Sequence, residues 1–263
     1  MNISVSRRAV LAGAVVLPWL AACSPVSAPA GVDLAEGTFS SRFWPGHRVR
    51  WRLARPVRHG SAAAPQPLAV AFHGRGGDAD WAFDSAHVER HVATTGLAVA
   101  TVDGGDFYWH ARKSGIDTGT MVIADLLPLL ATKGLATQRI TLIGWSMGGY
   151  GALLLASRLG ARRVAGVAAA SAALWQSPGD SAAGAFDDNA DFARNDVSAR
   201  RNVLAAIAVR LDCGRDDPFI AANRALARQL PAATATFDTG AHTEQYWTAH
   251  AGSQMSWLRA RLP

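Results

Sequence analysis

Ser146 sits between two glycines in Gly144-Trp145-Ser146-Met147-Gly148, a G-x-S-x-G pattern. An apolar run, ITLIGW, precedes the serine and a helix-forming run follows it. A serine on a sharp strand-to-helix turn is exposed for nucleophilic attack, and developing negative charge there is favoured by the helix N-terminus. A serine hydroxyl needs a base to take its proton, and that base needs an acid to orient it. Downstream of Ser146 only His242 and His250 offer an imidazole. His242 follows the strand-to-turn stretch Phe237-Asp238-Thr239-Gly240-Ala241 and is the expected base, while His250 falls in the expected last helix as a structural or surface residue. IAVRLDCGRDDPF offers Asp212, Asp216 and Asp217 as the acid. Asp212 is still on its strand; Asp217, directly before a proline able to open a helix, is preferred, with Asp216 as the loop alternative and helix capping as the non-catalytic role for either.

The developing oxyanion requires at least two donors. The backbone N–H of Met147 supplies one, and the loop His73-Gly74-Arg75-Gly76-Gly77 supplies the other, with Arg75 preferred and Gly76 in reserve. His73 is expected to buttress this loop by hydrogen bonds rather than to react. The stretch from Asp103 to His110 ends a further apolar strand, so it scaffolds the site or walls a pocket. Trp109, Trp145 and Trp175 are the expected apolar walls, with core packing as the competing role. The spacing of Asp103, Asp106 and His110 is not that of a zinc or calcium loop, so neither metal nor cofactor is expected. Cys213 reads as a small buried hydrophobe.

These residues must be held by a scaffold. Apolar strands are expected at 68–72, 97–102, 140–145, 164–169, 207–211 and 233–237, with a partly exposed strand at 49–54. Helical spacing marks segments near 84–94, 117–130, 148–159, 219–230 and 249–260. This alternation predicts an α/β fold with a mostly parallel central sheet and helices on both faces. Residues 176–202 are polar and aperiodic, an excursion over the top of the sheet rather than a second domain.

The chain of 263 residues is 49% apolar and only 17% charged, which suits one compact enzyme domain, expected over 38–263. A net charge of +6 invites nucleic acid as a partner, but the arginines are scattered and no basic stripe interleaves with aromatics. Residues 1–22 have the layout of a signal peptide, with Arg7 and Arg8 before the apolar run AVLAGAVVLPWLAA. S-R-R-A-V-L resembles a twin-arginine export signal, and Leu20-Ala21-Ala22-Cys23 looks like a lipobox in which Cys23 is acylated. The expected location is the outer face of the cell membrane, reached through the export machinery, with plain secretion as the alternative. Residues 23–37, rich in Ser, Pro, Ala and Gly, read as a tether. With Cys23 acylated, no intramolecular disulfide is possible, since Cys213 is the only other cysteine.

GWSMGGYGALLLA, together with HGRGG, DGGDFYWHARKSGIDTG and DCGRDDPF, resembles the esterase D, feruloyl esterase and mycolyltransferase-like branch of the α/β-hydrolases. The likeness is greatest to exported actinobacterial esterases and covers roughly residues 37–262. The resemblance implies an α/β-hydrolase fold, Ser146 as nucleophile, Asp217 as acid, His242 as base and an oxyanion hole from the N–H groups of Arg75 and Met147. It implies acyl-ester chemistry on a small-molecule, lipid or sugar ester. The chain departs from the cytoplasmic S-formylglutathione hydrolases in its export signal, and it shows no long insertion for a very long lipid. Acyl transfer to a sugar or glycolipid hydroxyl would use the same acyl-enzyme and is the principal alternative. A peptidase or amidase and a non-catalytic surface binding module are the others.

Overall fold

The computed structural model describes residues 28–58 and 64–263. Eight strands form one sheet: β1 (Val32–Ser41), β2 (Trp44–Pro56), β3 (Leu68–Phe72), β4 (Ala98–Val102), β5 (Ile140–Trp145), β6 (Val164–Ala170), β7 (Ala208–Asp212) and β8 (Thr234–Thr236). Their spatial order is β1-β2-β4-β3-β5-β6-β7-β8. The β1–β2 and β2–β4 pairs are antiparallel, and every pair from β4 to β8 is parallel. The mostly parallel sheet is the one expected from the alternation of strands and helices, and its architecture is the α/β-hydrolase fold that the resemblance implies.

Side chains that alternate along a strand go to opposite faces, and the sequence distributes them accordingly. Leu68, Val70 and Phe72 of β3 join Ile140 and Leu142 of β5 in the larger apolar cluster, with Met121, Leu126 and Leu154 from helices on that face. Ala69 and Ala71 join Ile143 and Trp145 in a second cluster, closed by Met255 and Leu258 of the C-terminal helix. Strands buried on both faces explain why β3 and β5 read as unbroken apolar runs.

Several boundaries differ from expectation. The second half of the expected tether is structured: Val32 to Gly37 pair with β2 in register, from Val32 opposite Pro56 to Gly37 opposite Trp51. Its Ala- and Gly-containing sequence hides this pairing, because an edge strand exposed on one side needs few large apolar residues. The helix expected near 84–94 is broken into Trp81–Asp84, Val88–His91 and Val92–Thr95, with His87 at a left-handed φ of 53° between the first two. The C-terminal helix starts earlier, at Glu244, because Thr243 caps it by accepting the Tyr246 N–H at 3.3 Å. The excursion at 176–202 contains the helix Asn189–Asn195, capped by Asp188, short 3-10 turns at Pro178–Asp180 and Ser198–Arg200, and the start of the helix Arg201–Leu204. Residues 1–22 and Cys23 lie outside the described residues.

Candidate active site

Ser146 stands between β5 and the helix Met147–Leu159 at φ 54°, ψ −120°, a conformation that costs a non-glycine residue strain. The flanking glycines make this turn possible. A Cβ at Gly144 would lie 2.1 Å from the Gly148 carbonyl oxygen, and one at Gly148 would lie 1.9 Å from the carbonyl oxygen of Phe72 at the end of β3. The G-x-S-x-G spacing is thus a packing requirement: strand, turn and helix approach too closely for side chains.

His242 Nε2 lies 3.0 Å from Ser146 Oγ, and its Nδ1 lies 2.9 Å from Asp217 Oδ2. These three residues come from the ends of β5, β7 and β8, separated by up to 96 positions in the chain. Asp217 is buried, and its Oδ1 accepts the N–H of Phe219 at 2.8 Å. Burial works against its charged form, but the hydrogen bonds from His242, Ser171 and the Phe219 N–H outweigh it and hold the carboxyl below its ordinary range. Ionised Asp217 fixes the His242 tautomer, Nδ1–H toward the carboxylate and Nε2 free to take the serine proton.

The other acidic candidates are committed elsewhere. Asp212 is buried on β7, where its Oδ2 accepts from Arg210 and from Gln254, each at 2.7 Å. Asp216 is exposed, and its backbone N–H donates to the Gly240 carbonyl, which steadies the loop carrying His242. His250 lies on the C-terminal helix, donating Nδ1–H to the Tyr246 carbonyl at 2.8 Å with Nε2 at 3.1 Å from Asp238.

The loop after β3 passes over the serine: a Cβ at Gly74 would meet Ser146 Cβ at 3.4 Å. His73 is buried, accepts the Gly104 N–H at Nε2 (2.9 Å) and donates Nδ1–H to the Gly74 carbonyl (2.7 Å). Burial pushes its pKa down, so it is a neutral brace between two loops. The N–H of Gly76 is taken by Asp106 Oδ1 at 2.6 Å, so the reserve oxyanion donor is already spent on the scaffold. Met147 opens its helix, where the first N–H groups have no partner within the helix. The stretch from Asp103 to Asp106 is scaffold: Asp103 accepts from the N–H groups of Arg50 (3.0 Å) and Ala79 (2.8 Å).

Two of the three expected pocket walls are core residues. Trp109 is wholly buried, edge-on to Phe72 at 4.8 Å, and Trp145 is wholly buried on the opposite face of the sheet, 5.2 Å from Trp81. Aromatic composition announced both, but strand parity turned Trp145 away from the site and close glycine packing swallowed Trp109. Trp175 remains partly exposed and reaches the triad through Phe219, whose ring lies 5.7 Å from Trp175 and 5.3 Å from His242. Tyr108 also packs on Trp175, at 5.7 Å. Cys213 is buried, and burial pushes its thiol up to about 12, which leaves it protonated and inert.

Two supporting residues were not foreseen. Ser171, directly after β6 at φ 50°, accepts the indole N–H of Trp247 at 2.9 Å, and Trp247 sets its ring edge-on to His242 at 4.9 Å. The position of Ser171 at the carboxyl end of a parallel strand was the available signal, since that edge carries the site in this class of sheet. Among the described residues no group of three or more His, Cys, Asp or Glu is placed to hold a metal ion.

Residues 45–258 match the Esterase family model, described as "Putative esterase". No curated protein matches the chain. Among solved structures, a ferulic acid esterase superposes with a TM-score of 0.74 at 19% identity, covering 89% of this chain and 99% of that one. FphF, a fluorophosphonate-binding serine hydrolase of Staphylococcus aureus, superposes with a TM-score of 0.76 at 15% identity, covering 87% and 98%. An S-formylglutathione hydrolase from Agrobacterium tumefaciens gives 0.75 at 17% identity, covering 89% and 96%. With the family model spanning most of its length and a Ser–His–Asp chain of hydrogen bonds at the carboxyl edge of its sheet, the protein belongs to the esterase family of α/β-hydrolases.

Proposed function

We propose that the protein is a serine carboxylic-ester hydrolase working through an acyl-enzyme on Ser146. The observation that carries this reading is the position of His242, within hydrogen-bond reach of Ser146 Oγ on one side and Asp217 on the other. His242 takes the serine proton as Oγ attacks the ester carbonyl, and the N–H groups of Arg75 and Met147 receive the oxyanion. His242 then protonates the departing alcohol. A water that has lost its proton to His242 releases the acid. The substrate class we assign is a small-molecule, lipid or sugar ester, with Trp175, Phe219 and Tyr108 as the apolar wall beside the triad. The motifs around Ser146, His73 and Asp217 support placement in the esterase D, feruloyl esterase and mycolyltransferase-like branch. Turnover of a graded series of acyl esters by the mature domain, beside Ser146→Ala, tests the reading. Free acid from the wild type alone supports it, and equal turnover by a folded Ser146→Ala protein overturns it.

We also propose that the chain is exported and held at the outer face of the membrane by acylation of Cys23. The support is the order of Arg7-Arg8, apolar run and Leu20-Ala21-Ala22-Cys23. Among the described residues no helix is long and apolar enough to cross a membrane. Two acyl signals suffice for stable anchoring. Mass spectrometry of the mature N-terminus, compared with Cys23→Ala, tests this: a lipid-modified Cys23 supports it, and an unmodified N-terminus at another residue overturns it.

A further inference from the structure

A cleft of about 480 Å³ opens on the side of the molecule, remote from the triad. Its lining includes Arg112, Lys113, Arg158, Arg194, Arg200 and a single carboxylate, Asp191. Arg158 ends the helix that Ser146 begins, twelve residues on, which places it about 18 Å along the axis from the nucleophile.

The charges of this lining do not balance. Arg112 is held by Asp187 at 2.8 Å, Lys113 by Asp188 at 2.6 Å and Arg194 by Asp191 at 3.3 Å. Asp191 is further occupied, since Oδ1 also accepts from Asn195 (2.8 Å) and Oδ2 from the Asp187 N–H (3.0 Å). Arg158 and Arg200 form no ion pair among the described residues. Arg158 donates to the neutral amide oxygen of Asn195 at 2.9 Å, and Arg200 to the Arg194 carbonyl at 2.6 Å. Burial lowers the Arg158 pKa against the pull of the carboxylates of Asp117 and Asp191, neither of which comes into ion-pair contact with it. A helix C-terminus favours one cation, which accounts for Arg158 on its helix but not for the Arg200 guanidinium from a separate turn beside it.

We propose that this cleft binds a phosphoryl group, with the guanidinium groups of Arg158 and Arg200 as its principal ligands. A guanidinium presents paired donors matched to phosphate oxygens, and two such forks supply the charge a phosphate dianion or diester requires. Two sources carry this chemistry, a soluble phosphorylated molecule and a phospholipid headgroup.

The test is calorimetric titration of the wild-type chain with inorganic phosphate at constant ionic strength, beside pelleting with phosphatidylglycerol and phosphatidylcholine vesicles. Arg158→Gln/Arg200→Gln serves as the variant, with Arg200→Gln alone as the milder change. Neither residue belongs to the catalytic machinery, so unchanged ester turnover verifies folding. Saturable phosphate binding weakened about tenfold or more in the double variant supports the site and points to a soluble ligand. Selective pelleting with phosphatidylglycerol that the variant loses supports it with a headgroup as ligand. Equal binding by wild type and variant, or saturable binding to neither probe, overturns it.

Discussion

The backbone N–H of Gly76 donates to Oδ1 of Asp106 at 2.6 Å, tying the loop that follows β3 to the loop that follows β4. That bond holds the segment carrying Arg75 over Ser146. Asp106→Ala releases it, and the expected result is a kcat lowered about tenfold with little change in KM, because oxyanion contacts act mainly in the transition state. Asp106 is half exposed, so the loss of stability should stay near 1 kcal/mol. Steady-state kinetics and thermal melts measured together separate the two effects.

Asp217→Asn keeps the shape of the site and removes the charge that sets the His242 tautomer. An amide in that place can donate to Nδ1, which leaves the proton on Nε2 facing the serine. We expect kcat to fall by about a thousandfold to ten-thousandfold, the loss seen when a triad acid becomes its amide elsewhere. Asp216→Asn, an exposed change, should leave activity near wild type. The same ester assay distinguishes them, and comparable losses in both variants would contradict the assignment.

Gly148→Ala forces a methyl group to within 1.9 Å of the Phe72 carbonyl oxygen, and both partners are backbone atoms that cannot swing away. The expected cost is about 3 kcal/mol or more, with the turn at Ser146 displaced. A lower melting temperature and loss of Ser146 labelling by a fluorophosphonate should appear in the same variant. Normal labelling at full stability would show that the turn relaxes.

Buried His73 must stay neutral to accept the Gly104 N–H, and its pKa is pushed down by burial. The unfolded chain therefore takes up this proton more readily than the folded one. Stability from this group is full above the unfolded value of about 6.5 and is lost as pH falls from there toward the lower folded value. His91 and His110 are shifted the same way by burial. Denaturant midpoints should drop between pH 7.5 and pH 5.5, and His73→Gln should show a shallower drop than wild type. An unchanged slope would mean that His73 does not titrate differently in the two states.

The triad is legible in the sequence because each member is announced locally, by a short motif at the end of an apolar strand. Ser146, Asp217 and His242 needed only chain order and strand ends to be brought together. Trp109 and Trp145 were harder, because an aromatic residue beside a catalytic motif is consistent with wall or core. Which one it becomes depends on Phe72, Gly151 and Trp81, which lie far off in the sequence. The opening residues of strand β1, Val32 to Ala35, were hidden for a related reason: their pairing with β2 is backbone hydrogen bonding, to which side-chain periodicity is almost blind. The support from Ser171 and Trp247 joins residues 76 positions apart and left no local pattern.

Trp109 has a further implication. A Cβ at Gly104 would meet its indole at 2.2 Å and one at Gly151 at 2.3 Å, whereas a Cβ at Gly119 would strike its backbone carbonyl at the same 2.3 Å. The first two glycines are small because this tryptophan is large. The third is small whatever side chain stands at 109. Positions 104, 109 and 151 therefore exchange volume as a closed set, so alanine at 151 should be tolerated only in a chain that has already given up the indole. Position 119 lies outside that trade.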